Sequence, residues 1–505
     1  MITHQDWLAQ QTLTRPQGMA LIHGDRSWSY AELNHLVTEL TGRLAAAGVQ
    51  SGQHVAVLMP NRVEYVSLIH ALARLGAVLA PLNTRLTPGE LRYQLDRTGC
   101  HHLICSQETE DKVIELGQGN WQGLSVEAPP DTGLVSLQGL PPDQPDRRRS
   151  RPFDLAALQA IIHTSGTTGR PKGAMLTYAN QLWGATASAF RLGTDPADRW
   201  LLCMPLYHVG GLAIVLRCCL YGTTVVLHDR FDAAAVNQAL DNQAISLISL
   251  VPTMLQWLLD ERDNRPFPPS LRCILLGGAA APVTLLDRCR ALALPVAPTY
   301  GLTEAASQVA TAPPDETQQR PGSVGKPLMF TQIRIIDETG RDLPPAEIGQ
   351  IVVRGPTVMQ GYYGQPEATR QTLQNGELHT GDLGYLDEAG NLWVVQRRAD
   401  LIVSGGENIY PAEVEQVLCA HPAVKTACVV GLADEAWGQR VAAAVVLQEG
   451  VSLTEADLLT FCRARLAGYK QPRLLHFVDT LPQTASGKIE RQAVTRLMVG
   501  LASPR

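Results

Sequence analysis

One stretch limits this chain more than any other. An apolar run ends in Ile161-Ile162, and His163-Thr164-Ser165-Gly166-Thr167-Thr168-Gly169-Arg170-Pro171-Lys172-Gly173 follows. Glycines let a backbone bend closely around a ligand, while hydroxyls and amides supply donors without bulk. Lys172 adds a point charge suited to phosphate oxygens. The stretch reads as a phosphate-gripping loop, against the plainer alternative of a Gly/Ser/Thr surface turn. It is not the Walker A pattern, because G-x-x-x-x-G-K-[ST] cannot be read in it.

The loop sits in a chain that alternates helix-like and strand-like segments. Ser29 is a candidate cap for a helix whose apolar spacing runs to Leu44. Residues 54–60 read as a short buried strand ended by a proline, 65–75 as a helix and 77–82 as extended chain. Such alternation predicts an α/β domain with mostly parallel sheet. Residues 119–152 are rich in Pro, Gly and Asp and contain Arg147-Arg148-Arg149; they read as a solvated linker, with a phosphate role for the arginines as the alternative. A second α/β block follows, with residues 271–276 as a buried strand. Strand and turn signals dominate residues 325–395, and the last hundred or so residues read as a small α+β module.

With 505 residues the chain exceeds what one core supports. A composition 45% hydrophobic and 18% charged is that of a soluble globular protein. The net charge of -6 gives no reason to expect nucleic acid or an anionic membrane, so local cations must hold any anionic ligand. The ten cysteines form no C-x-x-C, and most sit in apolar runs, reading as small buried hydrophobes of a reducing compartment. No basic head with an apolar stretch opens the chain and no apolar run is long enough to span a membrane, so a cytoplasmic location is expected.

Further polar stations follow the loop. Tyr300-Gly301-Leu302-Thr303-Glu304 sets an aromatic, a hydroxyl and a carboxylate beyond an apolar run, and a carboxylate there suits Mg²⁺ held against nucleotide phosphates. Thr380-Gly381-Asp382 puts an acid on a tight turn, suited to ribose hydroxyls. Ser404-Gly405-Gly406-Glu407-Asn408 is a second flexible loop, and Ser486-Gly487-Lys488 presents a lone lysine near the C-terminus. Any one of these is more often a turn or a helix cap than a site.

In this order and spacing, however, the five motifs resemble the adenylate-forming superfamily of acyl-CoA synthetases, luciferases and adenylation domains, over essentially the whole chain. The resemblance implies a large multi-subdomain N-terminal domain over residues 1–396, a hinge at 397–400 and a small mobile α+β lid over 401–505. It implies ATP, Mg²⁺ and CoA as cofactor and co-substrates. Thr164, Ser165, Gly166, Thr167, Thr168, Gly169 and Lys172 would grip the phosphates, Glu304 would hold Mg²⁺ and Thr303 would contact the α-phosphate. Tyr300 and the loop Gly277-Gly278-Ala279-Ala280 would form the adenine site, Gly301 would also lie on the nucleotide, and Asp382 and Arg397 on the ribose. Lys488 would bridge the acyl carboxylate and the α-phosphate. Gly405, Gly406, Trp437, Tyr469 and Arg473 would lie along the CoA site, with ordinary packing as the alternative for Trp437 and Tyr469. The hinge position, often Asp or Lys in the family, is Ala399 here.

The segment from Pro205 to Leu220 bears on which acid is used. His208 matches an aromatic or histidine position at the acyl-pocket wall; read alone, it is more often a satisfied core residue. Val209 stands where amino-acid-activating relatives carry an aspartate, which disfavours an amino acid. Arg217 interrupts an apolar helical run, and an unpaired guanidinium is costly to bury. Either a protein acid or backbone carbonyls neutralise it, or the substrate carries a second carboxylate. This segment, with Ser307, Gln308 and the loop around Gly406, resembles the o-succinylbenzoate–CoA ligases of menaquinone and phylloquinone biosynthesis. That implies an aromatic keto-dicarboxylate whose free carboxylate meets Arg217, with Ser307 and Gln308 adding hydrogen bonds; Gly210, beside Gly211, stands where relatives often have serine. An aryl or medium-chain acyl-CoA ligase and a non-catalytic adenylate binder are the competing readings. Small molecules are the expected partners, and a homodimer or higher homo-oligomer is compatible with such a chain.

Overall fold

The structure, a computed structural model, describes residues 3–4, 6–127, 133–142, 153–164, 171–263, 265–396, 401–482 and 489–502. They group into two compact units. The larger holds Met1–Thr84, Leu95–His163 and Gly173–Gln396; the smaller joins Arg85–Gln94 and Thr164–Lys172 to Arg397–Arg505.

In the larger unit, the strand His54–Leu58 is buried along its whole length and pairs in parallel with Val78–Pro81 on one side and His102–Cys105 on the other. A continuous apolar run of this kind belongs to a strand covered on both faces. The sheet has seven strands and continues, still parallel, through Gln122–Ser125 and Val135–Ser136. These last two strands overturn part of the linker reading of residues 119–152, for Leu124, Val126 and Leu137 are buried. Strands this short pair through their backbones and need only one or two apolar side chains each, so a Pro/Gly/Asp-rich composition conceals them. Arg147, Arg148 and Arg149 lie outside the described residues.

A second sheet of nine strands has a parallel centre of Val296–Leu302, Cys273–Leu276, Leu247–Leu250, Arg199–Leu202, Thr224–Leu227 and Met19–His23. Helices lie between the two sheets: Val37, Leu68, Leu72 and Ile214 share one apolar cluster with Val57 and Leu79 of the first sheet and Trp200 and Leu227 of the second. The helix Tyr30–Ala46 begins at the expected cap. Ser29 Oγ accepts from Glu32 N while Glu32 reaches back to Ser29 N at 2.7 Å, which satisfies two otherwise orphaned donors. Residues 325–395 form the expected strands, an antiparallel sheet of Gln332–Ile336, Gly349–Arg354, Leu373–Gln374, Glu377–Leu386 and Leu392–Gln396. Its apolar face shares a cluster with Tyr300 and Val309 of the nine-stranded sheet.

The smaller unit is built on the hairpin Val424–Asp434 and Gly438–Leu447. The helices Pro411–Cys419 and Glu455–Arg463 cover one face through Val414, Leu418, Leu458 and Cys462. Arg491–Ala502 covers the other through Val494 and Met498. An α/β body with a small α+β module is therefore the observed class. All ten cysteines are free thiols, and nine are buried as expected; Cys419 is exposed, because it falls at the open end of its helix.

Candidate active site

The strand Leu158–Thr164 leads directly into the phosphate-loop sequence. Ser165, Gly166, Thr167, Thr168 and Gly169 lie outside the described residues, as do Arg397, Ala399 and Lys488. Lys172 opens the next strand, Lys172–Thr177, and is buried. Thr98, which the sequence did not single out, holds the base of this region. Its hydroxyl meets His163 Nε2 at 3.0 Å, and its carbonyl meets His54 Nδ1 at 2.6 Å.

Two tyrosine–carboxylate pairs organise the face expected to take the nucleotide. Tyr300, on Val296–Leu302, donates its hydroxyl to Asp382 Oδ2 at 2.7 Å, and Asp382 N donates to Thr380 Oγ1 at 3.1 Å. The acid and the aromatic, 82 positions apart, are thus joined. Glu304 is buried and accepts a hydrogen bond from Tyr362 Oη at 2.8 Å. Sequence reasoning missed Tyr362; its one trace is a tyrosine pair flanked by glycines, Gly361-Tyr362-Tyr363-Gly364. No group of three or more His, Cys, Asp or Glu side chains among the described residues could hold a metal ion. A single placed carboxylate that shares Mg²⁺ with phosphate oxygens fits this arrangement, because Mg²⁺ commonly takes one or two carboxylates and completes its shell with phosphate and water.

Backbone shape presents these groups. Gly278 has φ +84°, and a Cβ there would stand 2.9 Å from Val251 Cγ1, so the loop carrying Ala279 and Ala280 can turn only on glycine. At Gly301 a Cβ would stand 1.8 Å from the Ser307 carbonyl oxygen. The chain doubles back sharply there, through Ala306 at φ 51° and Ser307 at φ 98°, and this return carries Thr303 and Glu304. Gly301→Ala is expected to cost about 3 kcal/mol or to prevent folding, as overpacking against backbone does. A thermal melt unchanged from wild type would show that the close approach is absent.

The acyl segment forms the helix Val209–Tyr221, with His208 as its N-cap residue, half-exposed and edge-on to Tyr207 at 4.6 Å between ring centroids. Gly211 sits against the preceding turn, where a Cβ would meet Pro205 O at 2.3 Å; at Gly210 a Cβ would make only an ordinary contact, with Met204 Cε at 3.9 Å. Gly210, Ala213 and Arg217 recur at helical spacing and share a face. Arg217 is 3% exposed. Its guanidinium lies 5.8 Å from the Trp200 ring centroid, its Nε has no hydrogen-bond partner, and no acidic side chain among the described residues pairs with it. Burial pushes its pKa below the ordinary arginine value. Neutralisation by a protein acid, one of the alternatives open from sequence, is therefore not what the fold provides. The helix packs on the strand Ser307–Thr311. There Gln308 turns its amide nitrogen to Thr311 Oγ1 at 2.9 Å and leaves its buried Oε1 without a partner.

In the smaller unit Gly405 (φ +58°) donates its N–H to Trp437 O at 2.9 Å, and a Cβ there would stand 2.7 Å from Trp437 Cε3. Trp437 is 47% exposed, so core packing does not account for it. Gly406 follows at φ +83°. Tyr469 is half-buried under the Arg85 guanidinium, 4.7 Å from its ring centroid. Arg473 is exposed, its N–H bonded to Val441 O at 2.8 Å.

Comparison with known proteins agrees with this layout. Residues 8–363 match the AMP-binding enzyme family and residues 413–488 its C-terminal domain. A 2-succinylbenzoate–CoA ligase from Bacillus cereus is 42% identical over 498 residues, 99% of each chain. The structure of a double mutant of o-succinylbenzoate CoA synthetase from Bacillus subtilis, bound with its product analogue OSB-NCoA, is 38% identical with TM-score 0.89, covering 97% of this chain and 98% of that one. The same Bacillus subtilis enzyme in complex with ATP and magnesium ion is 39% identical with TM-score 0.74, covering 97% and 99%. With both family domains matched in order and full-length relatives at this identity, the chain belongs to the AMP-binding enzyme family.

Proposed function

We propose that this protein is an ATP-dependent acid–CoA ligase that activates o-succinylbenzoate as its acyl-adenylate and transfers the acyl group to CoA, releasing pyrophosphate and AMP, in the formation of menaquinone or phylloquinone. A carboxylate oxygen of the acid attacks the α-phosphorus of ATP and pyrophosphate leaves. Thr164, Ser165, Gly166, Thr167, Thr168, Gly169 and Lys172 grip the phosphates, Asp382 and Arg397 take the ribose, and Lys488 stabilises the charge that develops. Glu304, steadied by Tyr362, would hold Mg²⁺, which when bound supplies positive charge against the phosphates. The CoA thiol then attacks the acyl carbonyl along Gly405, Gly406, Trp437 and Tyr469, and AMP departs. We assign residues 1–396 to the nucleotide and acyl sites, 397–400 to a hinge and 401–505 to a module that serves the two steps in turn. Among the described residues no helix is long and apolar enough to cross a membrane, and we place the enzyme in the cytoplasm.

One observation carries the choice of acid: a buried guanidinium without an acidic partner among the described residues, on a small-residue face of the helix that follows His208. o-Succinylbenzoate brings a second carboxylate that remains charged after the first is activated, and pairing with it removes the cost of Arg217. The test is a panel of carboxylic acids with ATP, Mg²⁺ and CoA, reading AMP and thioester. o-Succinylbenzoate is expected to lead; activity on simple benzoates or fatty acids with none on o-succinylbenzoate would reject the assignment.

A further inference from the structure

Lys470 is buried, and its ammonium is held between two carboxylates, Glu90 Oε1 at 2.7 Å and Glu413 Oε1 at 2.6 Å. All three residues belong to the smaller unit. Burial works against the ammonium, but Glu413 and Glu90 more than offset it and keep its pKa above the ordinary lysine value. Glu90 is itself fixed, for its Oε2 accepts from Thr87 N and Oγ1, each at 2.8 Å, and from Ala467 N at 3.1 Å. Beside this triplet Arg85 pairs with Glu407 at 3.2 Å while covering the Tyr469 ring, and Lys470 Nζ stands 5.6 Å from the same ring.

A buried ion cluster is a poor device for stability alone, because apolar residues of equal volume commonly serve as well or better. Its distinct property is that it fixes geometry between distant parts of a chain. Glu90 lies 380 positions before Lys470, and Glu413 lies 57 positions before it. Groups beside it flank the CoA path assigned above: Tyr469 precedes Lys470, and Glu407, paired with Arg85, follows Gly406 in the turn between Ile402–Ser404 and Glu407–Ile409.

We infer that Lys470 is a positioning residue for the thiol half-reaction: clamped between Glu90 and Glu413, it holds Tyr469 and the turn at Gly406 against the Arg85–Gln94 segment in the arrangement that receives CoA. The inference rests on the ligase reading but not on the identity of the acid. It is tested with full-length Lys470→Met and Glu90→Gln proteins and whichever acid the wild type adenylates. ATP–pyrophosphate exchange is expected to stay within about threefold of wild type, whereas thioester formation from supplied acyl-adenylate falls about ten- to a hundredfold, with a raised KM for CoA, as displacement of reacting groups produces. An equal decline of both half-reactions would mark a merely structural role and overturn the inference. Wild-type thioester formation by Glu90→Gln would overturn it too. Glu90→Gln leaves Lys470 paired with Glu413, so it decides the matter even where Lys470→Met fails to fold. Preference for another acid removes the o-succinylbenzoate assignment and leaves this test standing; a wild type that adenylates no acid removes both.

Discussion

Arg217→Ala is expected to lower kcat/KM for o-succinylbenzoate by about 2–4 kcal/mol of transition-state stabilisation, roughly thirty- to a thousandfold. The loss has a direct cause. Arg217 is buried and meets no acid of the described residues, so the incoming carboxylate would supply its counter-charge. Removing the guanidinium leaves that carboxylate to be desolvated with nothing to meet it. A monocarboxylic aryl acid has no such group to lose, and its kcat/KM is expected to change little or to improve in the variant. Steady-state kinetics with the two acids side by side check this. An unchanged kcat/KM for the dicarboxylate would reject Arg217 as its partner and favour a ligase of broader aryl or acyl specificity.

Lys488→Ala is expected to slow adenylation by about 10²–10³, the usual loss for one well-placed donor to developing charge, while sparing thioester formation from supplied acyl-adenylate. Lys488 lies outside the described residues; of the residues that flank it, Glu490 N donates to Pro482 O at 2.9 Å. ATP–pyrophosphate exchange and single-turnover thioester formation, measured separately, check the split. Equal loss in both would contradict a module that serves the two steps in different positions. The Lys470 variants are expected to show the opposite split, so each set controls for general damage in the other.

Much of the fold was legible because local rules and burial agreed. Ser29 with Glu32 marks a helix start, His54–Leu58 is a strand in which every residue is apolar or capped by backbone pairing, and Cys273–Leu276 follows the same logic. The short strands Gln122–Ser125 and Val135–Ser136 were hidden, since strands this short are specified by their neighbours' backbones more than by their own side chains. The loop of glycines and hydroxyls lies outside the described residues, and what sequence could not supply is each long-range bond. Nothing local to Tyr362 indicates that it holds Glu304, nor does anything near Asp382 indicate Tyr300. Lys470 reads as one more surface cation until Glu90 is brought beside it. Arg217 shows the opposite limit: sequence can mark a cation in an apolar run, but only the fold reveals that no acid among the described residues comes to meet it.

The unmet guanidinium also bears on the history of such a chain. In the resting protein it lowers stability, and an apolar side chain of similar length, such as methionine, would relieve that strain. If Arg217 meets the free carboxylate as proposed, a lineage still making the dicarboxylate thioester is held to arginine by need, whereas one released from that need gains by discarding it. Retention or loss of this one side chain among descendants would then record whether the old substrate is still in use.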